Sequence, residues 1–329
     1  MLILNKTIFV MMIAFILSVI IGFFYVPYMK KLKIKQNVSS FLPHHKKKNQ
    51  TPTMGGGIFI IPTVVTVLVL GLLDMIDLNY NLWILMVVFL SYGFIGFIDD
   101  YTKVKMGNNK GISRKAKLIM QLFVAIVFFY IFMRNEAPPV LWIYTLGIKI
   151  HLGWTYGLFI LFMLVGTSNA VNITDGLDGL AGGLSFIAFI AYGLIAWGAG
   201  WLEGYESIAM FCFALSGSLL GFLCYNSHPA RIWMGDMGSL ALGGALATVA
   251  ILTRHELTLA IVGGVFVIEA LSAIIQIIAI RKFKKRVFLM APIHHHFEKL
   301  GWEERDIVRL FWGVGLILSM TAIAFGVWI

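Results

Sequence analysis

The chain has little charge. Only 13% of its 329 residues are Asp, Glu, Lys or Arg, and just 16 are acidic. A soluble globular domain carries about 25%, so a dispersed water-soluble protein is excluded. Cysteine is scarce as well. Cys212 and Cys224 share one apolar block and show neither a CxxC nor a Cys/His spacing, which removes a disulfide framework and a structural zinc site. The GxxxxGK[ST] signature is absent, so phosphate binding by a P-loop, and with it an ATPase, is disfavoured. Internal repeats, low-complexity linkers and long polar stretches are lacking too, and residues 1–329 read as a single integral membrane domain. The net charge of +10 would suggest nucleic acid in a soluble protein. Here the basic residues sit in short loops between apolar blocks, so no nucleic-acid partner is expected.

What the chain has in abundance is hydrophobic residues, at 59%. They fall into ten blocks, at 7–28, 55–73, 82–98, 118–133, 156–171, 177–199, 207–225, 238–253, 258–280 and 307–328. Blocks of this size are transmembrane segments. In lipid such segments must satisfy their own backbone hydrogen bonds, which makes them helices. The expected fold is an all-α polytopic membrane protein with ten spans. The first block is longer than a signal-peptide core, has no small-residue cleavage site and runs straight into "KKLKIK". It is expected to stay as a helix. With ten spans, one set of loops carries 22 of the 26 Lys and Arg, leaving Lys6, Arg134, Lys149 and Arg254 on the other side. The positive-inside rule makes the basic side cytoplasmic and both termini extracytoplasmic. In the outer stretch "PPVLWIYTLGIKIHLGW", two β-prone runs, Val140 to Thr145 and Ile148 to Leu152, predict a small external hairpin.

The same parity places every notable polar cluster on the basic side. They are "HHKKKNQTPTMGGG", "DDYTKVK", "NAVNITDGLDGL", "YNSHPARIWMGDMGS" and "APIHHHFEK". Asp99 and Asp100 end an apolar run. They could be solvated in the headgroups, yet two like charges at the unfavourable end of a helix dipole invite a divalent cation or a raised pKa. Asn172, Asp175 and Asp178 are spaced three apart and would share one face of a helix, although Thr174 or Asp175 could instead cap the sixth span. Asp236, between two glycines, reads either as a helix N-cap or as another metal-binding carboxylate. Trp233 is either an interfacial aromatic or a platform for a base. The three histidines from His294 suit phosphate binding or acid–base work better than zinc. Lys46, Lys47 and Lys48 read as a charge run held against anionic lipid, while the glycine run beside them could bring backbone N–H groups to phosphate oxygens. Clustered acids for Mg²⁺, with lysines, imidazoles and glycine-rich turns, point to phosphoryl transfer at a membrane surface. An ion-coupled transporter would hold its acids near the bilayer midplane instead.

Five motifs then carry a resemblance. "TPTMGG", "DDYTK", "NITDGLDGL", "MGDMGS" and "APIHHHFE" occur in order along the chain. With them it resembles the phospho-N-acetylmuramoyl-pentapeptide-transferases, within the polyprenyl-phosphate sugar-1-phosphate transferase superfamily. The resemblance implies a homodimeric ten-helix enzyme of the bacterial plasma membrane with its active site on the cytoplasmic face. It implies transfer of phospho-MurNAc-pentapeptide from UDP-MurNAc-pentapeptide to undecaprenyl phosphate, with Mg²⁺ as cofactor. A related GlcNAc-1-phosphate transferase is the alternative. Carried over by motif, Asp99, Asp100, Asp236 and His294 are the catalytic positions, with Asp236 on the metal. Lys48, Thr53, Lys103, Lys115, Asn172, Asp175, Asp178, Asn226, Trp233, Gln276 and His295 are the substrate-binding positions. Gln50 and Trp233 stand where the family commonly has Gly and Phe.

Overall fold

Apolar runs that satisfy their backbone internally become helices, and the polar residues between them decide where each one stops. The computed structural model describes residues 2–32, 51–107, 111–135, 138–143, 147–198 and 204–327. Its helices are α1 (Leu2–Lys31), α2 (Gly57–Leu72), α3 (Tyr80–Met106), α4 (Arg114–Arg134), α5 (Thr155–Thr174), α6 (Leu180–Gly198), α7 (Tyr205–Asn226), α8 (Gly235–Leu252), the short α9 (Leu259–Val262), α10 (Gly264–Ile278), α11 (Ile293–Lys299) and α12 (Glu304–Val327). A π-helical turn, Ala279–Phe283, extends α10. Among the described residues nine helices are long and apolar enough to cross a membrane, and the sixteen-residue α2 is apolar but shorter. The chain is a polytopic, mostly helical membrane protein.

Local chemistry sets the ends. Asn79 caps α3 by accepting from Leu82 N at 3.1 Å, and Gly107 closes it in the left-handed region. Ser113 caps α4 through Ala116 N at 3.1 Å. Such caps satisfy backbone N–H groups that the first turn leaves unpaired. Helices α7 and α8 form the centre and are buried along almost their whole length. Helix α7 packs on α1, α2 and α6, while α8 packs on α3 and α5. The outer helices turn large apolar side chains away from the bundle, among them Phe23, Phe123 and Phe162, all more than 60% exposed. In a membrane protein that surface faces lipid.

The expected hairpin is present. Strands β1 (Val140–Ile143) and β2 (Ile148–His151) pair antiparallel, with Val140 opposite His151 and Trp142 opposite Lys149. The Lys149 ammonium lies 4.0 Å above the Trp142 ring.

Several boundaries differ from the sequence reading. Helix α3 does not end before Asp99 but continues to Met106, so the acidic pair lies within the helix. Lys103, one turn further on, reaches back to Asp99 and offsets the charge there. Asn172, Asp175 and Asp178 do not share a helical face. Helix α5 stops at Thr174, Asp175 is its C-cap and Asp178 lies in the turn before α6. The ninth block divides into α9, α10 and the π turn. The histidine motif forms the helix α11, which hydropathy alone does not reveal.

At the end of the bundle that bears the hairpin, the segment after α8 buries His255 and Glu256. The Tyr156 hydroxyl donates to Glu256 Oε1, and Arg254 Nη1 donates to Pro138 O at 2.8 Å. Burial pushes Glu256 up to about 7 and His255 down to about 4. A carboxyl raised in the fold binds its proton more tightly than in the unfolded chain. Its contribution to stability therefore declines as pH rises from the unfolded value, near 4.5, through about 7. Glu256→Gln, which keeps an acceptor for Tyr156 without the charge, is expected to raise the thermal midpoint at alkaline pH. At mildly acidic pH, where Glu256 is neutral in the fold, the gain should vanish. Melting curves across pH check this, and an equal gain at both ends would sink the assignment.

Candidate active site

The polar motifs meet at one end of the bundle, at the C-terminal ends of α3, α5 and α7 and the N-terminal ends of α2, α4, α6 and α8. At its centre Asp99, Asp100 and Asp236 bring carboxylate oxygens within 4.8 Å of one another. Asp99 and Asp100 are buried, and the Asp236 side chain keeps 15% of its exposure. Two lysines bind this group. Lys103 Nζ lies 2.7 Å from Asp99 Oδ2, 3.1 Å from Asp236 Oδ2 and 3.7 Å from Asp100 Oδ1. Lys117 Nζ bonds Asp236 Oδ2 directly and lies 3.6 Å from Asp99 Oδ2.

Backbone groups fix the acids. Ile112 N donates to Asp99 Oδ1 at 2.9 Å, and Met237 N to Asp100 Oδ2 at 3.0 Å. The approach of α3 to α8 is so close that a Cβ on Gly96 would collide with the Asp236 carbonyl. Asp236 is not an N-cap. Met234 occupies that position without a side-chain bond, and Asp236 lies in the first turn, where the helix dipole favours a negative charge. Asn172, in the last turn of α5, donates to Asp236 Oδ1 at 2.9 Å and to Ser239 Oγ at 2.8 Å. Asp100 Oδ1 is buried with no hydrogen bond among the described residues. Three carboxylates, one with a bare oxygen, form a hard-oxygen donor set of the kind Mg²⁺ takes.

The "TPTMGG" segment lines the same site. Trp233 N donates to Pro52 O at 2.8 Å, Gly55 N to Trp233 O at 2.8 Å and Gly56 N to Met234 O at 3.0 Å. This pairing fastens the second motif to the fourth. Thr53 is buried with no hydrogen-bond partner for its hydroxyl among the described residues, and a Cβ on Gly235, whose φ is +74°, would lie 2.8 Å from Thr53 Oγ1. Lys48 lies outside the described residues.

Asp178 organises the loop after α7. It accepts from Trp233 Nε1 at 3.2 Å and Ala230 N at 3.1 Å, and its own N–H donates to Glu304 Oε1 at 2.7 Å. His228 Nδ1 lies 3.1 Å from Asp178 and 3.3 Å from Glu304. Asn226 accepts from Gly179 N and donates to Ile232 O. The half-buried Trp233 is thus tied to protein through its indole N–H rather than simply lying in the lipid interface. Asp175 stands between this loop and the central acids. Burial, followed by the charges of Asp236, Asp100 and Asp178, lifts its carboxyl to about 8.

His294 is fully buried, with Nδ1 3.0 Å from Glu269 Oε2. His295 Nδ1 pairs with Glu298 at 2.5 Å, and His296 Nδ1 accepts from Leu289 N. Gln276 spends its amide on the loop before α11, accepting from Val287 N and Phe288 N and donating to Phe288 O. It braces the histidine loop rather than opening toward the acids.

Lys115 is not drawn into the acidic group. It is exposed on α4, while Lys117, two residues on and about 200° round the helix, enters the acidic group. Sequence reasoning also missed Glu269, Glu304 and His228. For Glu269 there was a signal, an acid isolated within an apolar block. His228 lies within the "YNSHPARIWMGDMGS" cluster, whereas Glu304 had no signal, because its role depends on loop packing.

Residues 82–254 match the profile of glycosyl transferase family 4. The chain is 46% identical over 318 residues to a phospho-N-acetylmuramoyl-pentapeptide-transferase of Geobacillus sp. (strain WCH70), covering 96% of this chain and 97% of the other. It is 45% identical to one from Geobacillus thermodenitrificans (strain NG80-2), covering 97% of each. It is 43% identical to one from Bacillus subtilis (strain 168), covering 98% of each.

Proposed function

The chain belongs to the phospho-N-acetylmuramoyl-pentapeptide-transferases, within glycosyl transferase family 4, and from that premise we propose how its site makes lipid I. It transfers phospho-MurNAc-pentapeptide from UDP-MurNAc-pentapeptide to undecaprenyl phosphate and releases UMP. An acceptor phosphate oxygen forms a bond to the donor β-phosphorus. The bond from that phosphorus to the oxygen bridging to the α-phosphate breaks, and UMP leaves with the electron pair. Any proton on the acceptor phosphate passes to the Asp99–Asp100 pair. The observation that carries this reading is the joining of three acids from two helices to two lysines at the mouth of the site.

Lys103 and Lys117, at the more exposed rim, receive phosphate oxygens and oppose their charge as the bonds change. Asp236, with Asp100 beside it, would hold Mg²⁺, which supplies charge neutralisation to the departing UMP. Trp233 and the Asp178 loop receive the uracil, and Asp175 and Asn172 flank the sugar-phosphate. Direct attack is the preferred reading, and an aspartyl-phosphate intermediate on Asp99 or Asp100 is its rival. On this reading α2 is the tenth span, both termini are extracytoplasmic, and the site faces the cytoplasm of a bacterial inner-membrane homodimer.

The deciding experiment incubates purified protein with both substrates and follows UMP. Release is expected with Mg²⁺ and is expected to stop with a chelator. Incubation with labelled donor alone should leave no label on the protein, and stable labelling would sink direct attack.

A further inference from the structure

Glu269 lies within α10, in an apolar span, and has no solvent exposure. A carboxyl in such a place is costly unless paired. Its partner is His294, equally buried and 25 positions along the chain, with Nδ1 3.0 Å from Glu269 Oε2. The ring is braced on its other side by His295, with centroids 4.1 Å apart. One nitrogen of the imidazole is therefore committed, and the other is not. His294 Nε2 is buried and has no hydrogen-bond partner among the described residues. It faces Gly176, where a Cβ would collide with it, and Gly176 directly follows Asp175.

A carboxylate on Nδ1 holds the proton there and leaves Nε2 as a bare acceptor. Buried polar atoms in a folded protein are normally satisfied. Two atoms of this pair go unmet among the described residues, Glu269 Oε1 and His294 Nε2. The lone pair of Nε2 is held at the turn between α5 and α6, beside the candidate active site, against a residue with no side chain.

We infer that Glu269 is a positioning residue for the transfer reaction. It holds the proton on His294 Nδ1 and sets the buried Nε2 against the Asp175–Gly176 turn, fixing that turn at the edge of the nucleotide-sugar site. The inference rests on the transferase reading for what the turn faces, but the ring geometry stands on the structure alone. Gly176 belongs to the same device, because any side chain there would displace the ring.

The test uses the full chain in detergent, with UMP release measured for the wild type, Glu269→Gln, Glu269→Ala, His294→Ala and the double variant Glu269→Ala/His294→Ala. Glu269→Ala is expected to lower kcat about 10-fold or more, the loss typical of a partner that orients a functional histidine, with KM for the nucleotide sugar little changed. Glu269→Gln can still accept from Nδ1–H through its amide oxygen and is expected to recover most of the rate. The double variant should fall no further than His294→Ala, because the two act as one unit. In ¹⁵N-histidine spectra, the signal missing from His294→Ala should report a proton on Nδ1 in the wild type and Glu269→Gln, and mixed tautomers in Glu269→Ala.

A wild-type ring protonated on Nε2 alone would overturn the inference. So would an unchanged kcat in Glu269→Ala, a Glu269→Gln as slow as Glu269→Ala, or losses that multiply in the double variant. A wild type that shows the Nδ1 tautomer but releases no UMP would sink the transferase reading, and with it the role in transfer, while leaving the Glu269-held ring in place.

Discussion

Asp236→Asn is expected to cut UMP release by on the order of 10²–10³-fold or more, the scale of losing a central electrostatic group, while the protein stays folded. Asp236 receives Lys103, Lys117 and Asn172 together. The amide keeps the shape of the side chain but removes the charge that holds the two ammonium groups side by side. Those cations then repel each other, and the oxygen set proposed for Mg²⁺ loses a charge. The fold has little reason to fail, because α8 is anchored along its whole buried length against α3 and α5. UMP release and the thermal midpoint should be measured on the same preparation. A variant within about threefold of wild type would mean that Asp236 does not stand at the reacting centre.

The second large effect separates two neighbouring lysines. Lys117→Ala is expected to lower UMP release by about 10²-fold, comparable with removal of one group that stabilises transition-state charge. Lys115→Ala should leave it close to wild type. Lys117 bonds Asp236 and approaches Asp99, whereas Lys115 is exposed on another face of α4. Among the described residues, removing Lys117 leaves the buried acids with Lys103 as their cation, so the loss should appear mainly in kcat. Equal losses in the two variants would contradict the geometry. A loss in Lys115→Ala alone would favour the motif-based assignment over the structural one.

These lysines show where sequence reasoning stops. Hydropathy located the helices because a span must be apolar for most of its length, and the charge asymmetry ordered their ends. Asp99, Asp100 and Asp236 were legible because an acid at the edge of an apolar block is costly and therefore conspicuous. Choosing between Lys115 and Lys117 needs the rotation of α4 relative to α3, which depends on packing and not on any local pattern. The shared helical face assumed for Asn172, Asp175 and Asp178 failed for a related reason. The chain turns at Asp175, so Asn172 points to Asp236 while Asp178 secures the Trp233 loop. Helix α11 escaped notice because seven residues with three histidines carry no amphipathic signal long enough to read. Glu269 and His294 could each be picked out as unusual, but only the fold shows that they are partners.

The contact at Gly96 bears on which ion the site would accept. Because the α3 backbone rests against the Asp236 carbonyl, the gap between the acids is set by two helix axes rather than by adjustable side chains. A Ca²⁺ ion takes more ligands at longer distances than Mg²⁺, and seating it would require α3 and α8 to part. On the proposed metal reading, the residue that would discriminate by ionic radius is one with no side chain, acting as a spacer of fixed gauge.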